Sequence, residues 1–437
     1  MSIYDKASLV HIPSGYRSGT LYNVLPNNSD GDFDFSRGST ATRVNKDGLI
    51  ETVASGVPRL DYPLLDGVVQ DCPHLLLEPS RTNLIPYSED FSNSGWTLDN
   101  TTVVANSAVS PDGSLNADKI IATAINSSHS AFISLSSSTS SGTSYCYSFF
   151  AKAEEYTKTA IRIGGGGYSS QPMAVINLLN GSVVSQQGFI SLSVKDFSNG
   201  WYKINAVFTA TSSVAPNIQP IADGFTTTSD NYTYNGDGTS GIYIWGAQIE
   251  EDYPTSYIPT NGEVGGVTRS ADAVNGAEAT FNDSEGVLYA NVADFYDSTT
   301  SRVISISDGT LNNRVFFKFY TVSNGIEATL ISSSGGTNPQ ITTTTSDTSN
   351  YNKIALKYSS NGFNLWANGF ELGTDTVTNL PNNLSDLSFD TASLNPLYGK
   401  TKEVMTFNEA LSDTELEALT SYDSFNEMAT EQLYTIE

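Results

Sequence analysis

The chain has 437 residues, enough for two or three domains of ordinary size, each with its own core. Its 21 lysines and arginines stand against 47 aspartates and glutamates, a formal net charge of −26. That balance excludes the basic face that nucleic acid requires and disfavours an anionic membrane surface.

Aromatic residues make up 11% of the chain, 23 tyrosines among them, and Ser, Thr, Asn and Gly are abundant. Such a composition belongs to strands joined by tight turns. Cys72 and Cys146 are the only cysteines, so neither a disulfide framework nor a CxxC metal knuckle is expected, and both thiols are read as reduced and buried. No apolar leader core follows Met1, and no apolar run approaches the ~20 residues of a spanning helix. Synthesis in the cytoplasm without a secretion signal, and no membrane insertion, are the expectation.

In chain order, Ala7 to Pro13 reads as a short strand ended by its proline, and Leu21 to Leu25 as a second. His11 sits within the first and is read as structural. From Phe33 to Phe91 the pattern becomes irregular. Ser36 to Thr40 and Lys46-Asp47-Gly48 are turn formers, and Pro58, Pro63, Pro73, Pro79 and Pro86 each remove a backbone donor. A long aperiodic segment is either disordered or held down by what it packs against. Leu60, Tyr62, Leu64, Leu65 and Leu75 to Leu77 argue against disorder, which needs low hydrophobicity. With Arg37, Arg43, Arg59 and Arg81 the segment reads as a docking strap. Leu60, Tyr62, Leu75, Leu76 and Leu77 would bury against a partner surface, and the arginines would set the register.

Within this stretch FSRGSTATRVNKDGLIE, PRLDYP and CPHLLLEPSRTNLIPYSEDF resemble the opening of many tailed-bacteriophage virion proteins, those of head spikes, head fibres and tail appendages. The resemblance implies a particle-borne structural protein whose partners are other capsid or tail proteins, localised to the virion. It also implies a homo-oligomer, a trimer by analogy with fibre-like phage proteins. It does not distinguish head from tail.

After Asn83 strands come at regular spacing. Ser144 to Lys152, Thr159 to Ile163, Trp201 to Thr209 and Gly241 to Ile249 are the clearest, and Asn180-Gly181 marks a hairpin. Many short strands without intervening helix read as an antiparallel sandwich. The blocks NLIPYSEDFSNSGW, GWYKINAVFTA and IYIWGAQIEEDYPTSYIPT resemble carbohydrate-binding jelly rolls. That resemblance implies a structural calcium held by an acidic residue of the first strand, for which Glu89 and Asp90 are the candidates, and another of the last strand. Trp245, Gly246 and Ala247 stand at the latter place, which weakens the metal expectation. No other cofactor is expected.

Thr255 to Gly266 reads as a linker, and a second β domain begins at Val267 with Asn-Gly turns at Asn324, Asn361 and Asn368. Leu411 to Leu419 is the clearest helix, with a Ser412–Glu415 capping box and a Leu411–Leu416 staple. KTKEVMTFNEALSDTELEAL resembles the end of the concanavalin A-like/laminin-G-like fold. Beyond Tyr422 the chain is an acidic tail.

Signatures of catalysis are weak by comparison. The histidines 11, 74 and 129 offer no HExxH, and no GxSxG elbow accompanies a serine triad. Glu250-Glu251-Asp252 is acidic, but adjacent strand residues point to opposite faces, so a solvated strand end is the reading. Trp96, Tyr232, Tyr234, Tyr253 and Tyr257 are candidate glycan contacts, with core burial equally compatible with the pattern.

The expectation is therefore a mainly β, non-enzymatic virion protein. Residues 1–83 form an N-terminal anchoring segment and 84–260 a carbohydrate-binding-like jelly roll. Residues 261–422 form a concanavalin A/laminin-G-like sandwich, and 423–437 the tail. The role is a capsid- or tail-attached decoration, spike or fibre, with host-surface polysaccharide as candidate ligand. The alternatives are a glycan-cleaving appendage and a purely structural tail adaptor.

Overall fold

A computed structural model describes residues 3–17, 19–26, 30–135, 139–165, 168–211, 214–229, 232–295, 300–320, 322–345 and 347–422. The acidic tail 423–437 lies outside the described residues. The described chain is nearly all antiparallel β, with a single α-helix.

The first sandwich holds two six-stranded sheets. One runs in the order Thr97–Asp99, Ser130–Phe132, Ala215–Ile221, Lys158–Gly164, Met173–Asn177, Val183–Gln187. The other runs Thr101–Val109, Leu115–Ala122, Gly241–Glu251, Ser144–Ala153, Trp201–Thr209, Ser191–Asp196. Side chains alternate across each strand, so Tyr147, Phe149, Ile204, Phe208, Ile244 and Ile249 fill the space between the sheets. The hairpin expected at Asn180-Gly181 forms, with Gly181 at φ +68°.

The second sandwich pairs a six-stranded sheet against a larger one. The larger sheet explains the strap. Its strand Gly399–Phe407 takes Glu285–Asp294 on one edge; on the other it takes two segments from the front of the chain. Leu9, Val10 and His11 pair with Thr406, Met405 and Val404, and Leu75, Leu76 and Leu77 pair with Thr401, Lys400 and Gly399. Leu60–Asp61 extends the sheet by pairing with His74–Leu77, and Phe33–Ser36 pairs with Ala273–Asn275. Leu9, Leu21, Phe33, Phe35, Leu75 and Leu77 thus lie in one core with Leu288, Ile304, Phe317, Leu356 and Val404. An exposed edge is thereby covered.

This corrects two expectations. The described residues of 1–83 are not a separate irregular segment: they fold into short strands and hairpins. Of these, Leu9–His11, Leu60–Asp61 and His74–Leu77 join the larger sheet of the second sandwich, while the Ala41–Val53 hairpin packs its Ile50 on the first. The surface on which Leu60, Leu75, Leu76 and Leu77 bury is the chain's own. Cys72 is also exposed rather than buried, whereas Cys146 is buried as expected and its thiol is pushed up by that burial.

The helix Asp413–Thr420 begins at Ser412, whose side chain accepts from the Glu415 N–H, while the Glu415 carboxylate accepts from the Ser412 N–H, closing the box. Leu411, Leu416 and Leu419 dock it on the outer face of the larger sheet, against Tyr289 and Trp366.

Two histidines are sealed into this sandwich. Asn23 donates its amide to Gly31 O, which turns its Oδ1 toward His11 Nδ1 at 2.9 Å and places the imidazole proton there. Burial depresses His11 to about 4, and His74 is likewise depressed by burial, against the pull of Asp61. An unfolded histidine titrates near 6.5. The unfolded chain therefore binds protons that the folded chain refuses, and stability is lost as pH falls from about 6.5 through the folded value of about 4. For His11 the loss is on the order of 3 kcal/mol. Asp386, raised to about 6 by burial and by Asp390, acts in the opposite sense by gaining its proton more readily when folded. Urea unfolding at pH 7 and pH 4.5 is expected to show the loss, and His11→Gln to reduce it. An unchanged pH dependence in His11→Gln would refute the assignment.

Candidate functional site

Three parts of the chain meet between the sandwiches: the opening segment, the exit of the first sandwich and the entry to the second. Their meeting is built on a buried charge network. Arg59, fully buried, donates to Glu78 Oε2, to Asp272 Oδ2 and to Ser256 Oγ. Arg37 reaches Asp272 Oδ1 at 3.0 Å and donates to Ala54 O at 2.7 Å. Arg269 reaches Glu78 Oε2 at 2.8 Å and donates to Pro79 O at 2.7 Å. The Ser256 N–H and hydroxyl both donate to Glu78, and the Glu78 N–H donates to Asp272. Burial alone would raise Glu78, but the charges of Arg269 and Arg59 hold it well below the usual carboxylate range.

The motifs that resemble phage virion openings supply Arg37, Arg59 and Glu78, so those motifs encode an intramolecular lock. Arg37 and Arg59 are both engaged within the chain. Arg43 pairs with Glu51 across its own hairpin at 2.7 Å, and Arg81 lies over the Tyr253 ring at 4.9 Å. Tyr62, half-buried, donates its N–H to Val44 O.

Glu250 also differs from its reading as a solvated strand end. It is fully buried, accepting from the Thr255 N–H and hydroxyl and from Gln248, and desolvation raises it. A local acidic run gives no sign of this, because the donors arrive from the chain's return at Thr255.

The aromatic candidates are mostly core. Trp96 is buried against Phe91 and donates to Tyr87 O. Tyr232 packs on Phe225, and Tyr253 stacks on Phe295. Tyr257 is wedged against Trp245, its hydroxyl donating to Glu89. Only Tyr234 is half-buried, its ring 4.6 Å from His129. Glu89 and Asp90 turn to different partners: Glu89 to Tyr257 and Asn116, Asp90 to the N–H and hydroxyl of Ser92. Burial raises Glu89. Among the described residues no group of three or more His, Cys, Asp or Glu could hold a metal.

Beside the charge network a cleft of about 250 Å³ opens between the two sandwiches. Lys195 and Lys203 come to it from the first sandwich, as direct cross-strand partners. Like charges placed opposite each other destabilise a sheet. Lys400 comes from the second sandwich, on the strand completed by Leu76. The Lys195 amine is pushed down to about 8, first by Lys400, then by desolvation and Lys203. The residue as a whole is exposed, so the like charges outweigh burial in that shift. Among the described residues no carboxylate lies within ion-pair distance of these three amines. Nearby Glu78 is held by its arginines, Asp61 by the Val44 N–H and His74, and Asp196 by the Ser198 N–H.

A larger open groove of about 960 Å³ runs along the second sandwich and carries Asp30, Glu278, Asp308, Asp386 and Asp390.

No family model matches the chain, and no curated protein does. Among solved structures, the chain is similar to the CBM40 of the Ruminococcus gnavus IT-sialidase bound to α2,3-sialyllactose, with 17% identity and a TM-score of 0.29 over 32% of this chain and 84% of that one. The leech intramolecular trans-sialidase aligns at 16% identity and a TM-score of 0.29, over 35% of this chain and 27% of its own. Domain 4 of AbnA, a GH43 extracellular arabinanase from Geobacillus stearothermophilus in complex with arabinotriose, aligns at 11% identity and a TM-score of 0.29, over 35% and 73%.

Proposed function

We propose that this chain is a non-enzymatic component of a bacteriophage particle, a capsid- or tail-attached decoration, spike or fibre that presents paired β-sandwiches to polysaccharide on the host surface. The observation that supports it best is the junction. The residues of the phage-like opening are the ones that fasten the two sandwiches together, with a cleft between them that Lys195, Lys203 and Lys400 reach. Attachment to other virion proteins, and assembly as a homo-oligomer, most simply a trimer, belong to this proposal. Because the arginines and leucines of the opening are engaged within the chain, attachment falls to the outer faces of the sandwiches.

The test is adsorption of purified, labelled protein to host cells with and without their surface polysaccharide, with released reducing ends measured in parallel. Binding that depends on the polysaccharide without new reducing ends is the expected result. Equal binding to stripped cells would overturn it.

One observation favours the glycan-cleaving alternative: Asp386, raised to about 6 by burial and by Asp390, lies in the wide groove as a general acid must. Sustained reducing-end release that Asp386→Asn abolishes would replace the adhesion reading with that one.

A further inference from the structure

We propose that the cleft between the sandwiches binds one carboxylate-bearing sugar unit, its carboxylate seated among Lys195, Lys203 and Lys400 and its ring against Tyr62 and Phe295.

The cations come first. In a chain with 21 lysines and arginines against 47 acidic residues, three amines converge on one cavity. Its own carboxylates, Asp61, Glu78 and Asp196, are engaged by other groups, and of the three amines Lys203 donates to Thr255 O. Their mutual repulsion works against the fold, and an anion placed among them reverses its sign.

Two residues of the cleft wall add to this. Asn205 and His74 line the same cleft, and Asn205 Oδ1 and His74 Nδ1, both sealed from solvent, find no hydrogen-bond partner among the described residues. With its Nε2 turned to Asp61, His74 presents Nδ1 as an acceptor, as Asn205 presents its amide oxygen, and sugar hydroxyls are donors of the matching kind. Tyr62 and Phe295 are half-buried and give the cleft apolar walls.

Size is compatible with a sugar. The cleft, about 250 Å³ and open to solvent, has room for a pyranose ring, and a bare phosphate or sulfate would leave its aromatic walls uncovered. That the ligand is a sugar rests on the polysaccharide-binding reading; that it is an anion rests on the lysines alone.

The experiment is calorimetric titration of the full chain at pH 7 with glucuronic acid and galacturonic acid, with glucose and inorganic phosphate as comparators. At least one uronic acid is expected to bind ten times or more tightly than either comparator. Lys195→Gln, an exposed position that the fold tolerates, is expected to weaken that binding at least tenfold, and Lys400→Gln to do the same. Absence of uronate binding, phosphate binding of equal strength, or an unchanged affinity in Lys195→Gln would each overturn the proposal. The two readings fail separately. Polysaccharide-dependent adsorption to cells without uronate binding sinks the anion site alone, and uronate binding without adsorption sinks the adhesion reading alone.

Discussion

Replacing Arg59 by alanine is expected to lower the unfolding free energy by about 3–5 kcal/mol, the cost of leaving buried charges without their partner. Glu78 and Asp272 both depend on this one guanidinium and lie out of reach of water. Arg37 and Arg269 each retain a contact to one of the two carboxylates, so the network loosens without disappearing. Arg59→Lys keeps the charge but not the planar fork that reaches both acids, and is expected to recover only part of the loss. The pH dependence adds a second check. Glu78 is held below its unfolded value, so its stabilisation is complete above about pH 4.3 and is lost as pH falls further. The gap between wild type and Arg59→Ala should therefore narrow in acid. Urea titrations at pH 7 and pH 3.5 measure both effects. A difference below about 1 kcal/mol at pH 7, the worth of a surface pair, would show that the network is solvated in solution.

The larger effect is expected from removing the opening segment. A chain starting at Leu84 should keep a folded first sandwich, whose two sheets lie between Thr97 and Glu251. It should lose the second. Without Leu9–His11 and His74–Leu77 the edge of Gly399–Phe407 is bare, and Phe33, Phe35, Leu75 and Leu77 leave holes in the core. Each such buried side chain contributes roughly 1.5–3 kcal/mol, so the four together, about 6–12 kcal/mol, match the whole net stability of an ordinary domain, about 5–15 kcal/mol. Limited proteolysis should then cut throughout 261–422 and spare 84–260. Leu75→Asp in the full chain should give the same pattern. A truncated chain whose second sandwich still melts cooperatively would show that the opening segment docks on a finished fold.

What was legible in the sequence was local. The Asn180-Gly181 and Asn324-Gly325 turns, the strand alternation and the Ser412–Glu415 box each depend on residues within a few positions of one another, and each formed. The opening stretch was legible as something that packs, because leucines and prolines announce a held-down chain. What it packs on was not. Leu76 meets Lys400 and Arg59 meets Asp272 across hundreds of residues, and no periodicity links them. The tyrosines failed for a related reason: Tyr253 and Tyr257 follow a strand end and read as loop, yet both are buried. Phe295 of the second sandwich stacks on Tyr253, and Trp245 of the first sandwich packs on Tyr257 in one core with Ile50 of the opening segment. The lysine cleft left no signal, since Lys195 and Lys203 look like two solvated strand residues until Lys400 arrives from the other sandwich.

The pairing of Leu75–Leu77 with Gly399–Thr401 also sets a clock. At ~5–20 residues per second, roughly 20–60 s of synthesis separate the two strands. The first sandwich can close on the ribosome during that interval, while the leucine-rich front waits with its backbone groups unpaired. A nascent chain in that state carries an open strand, and a neighbour on the same message carries the matching gap. Slow translation or crowded polysomes should therefore favour exchange of this strand between chains, and brisk completion of the last hundred residues should favour the closure within one chain described above.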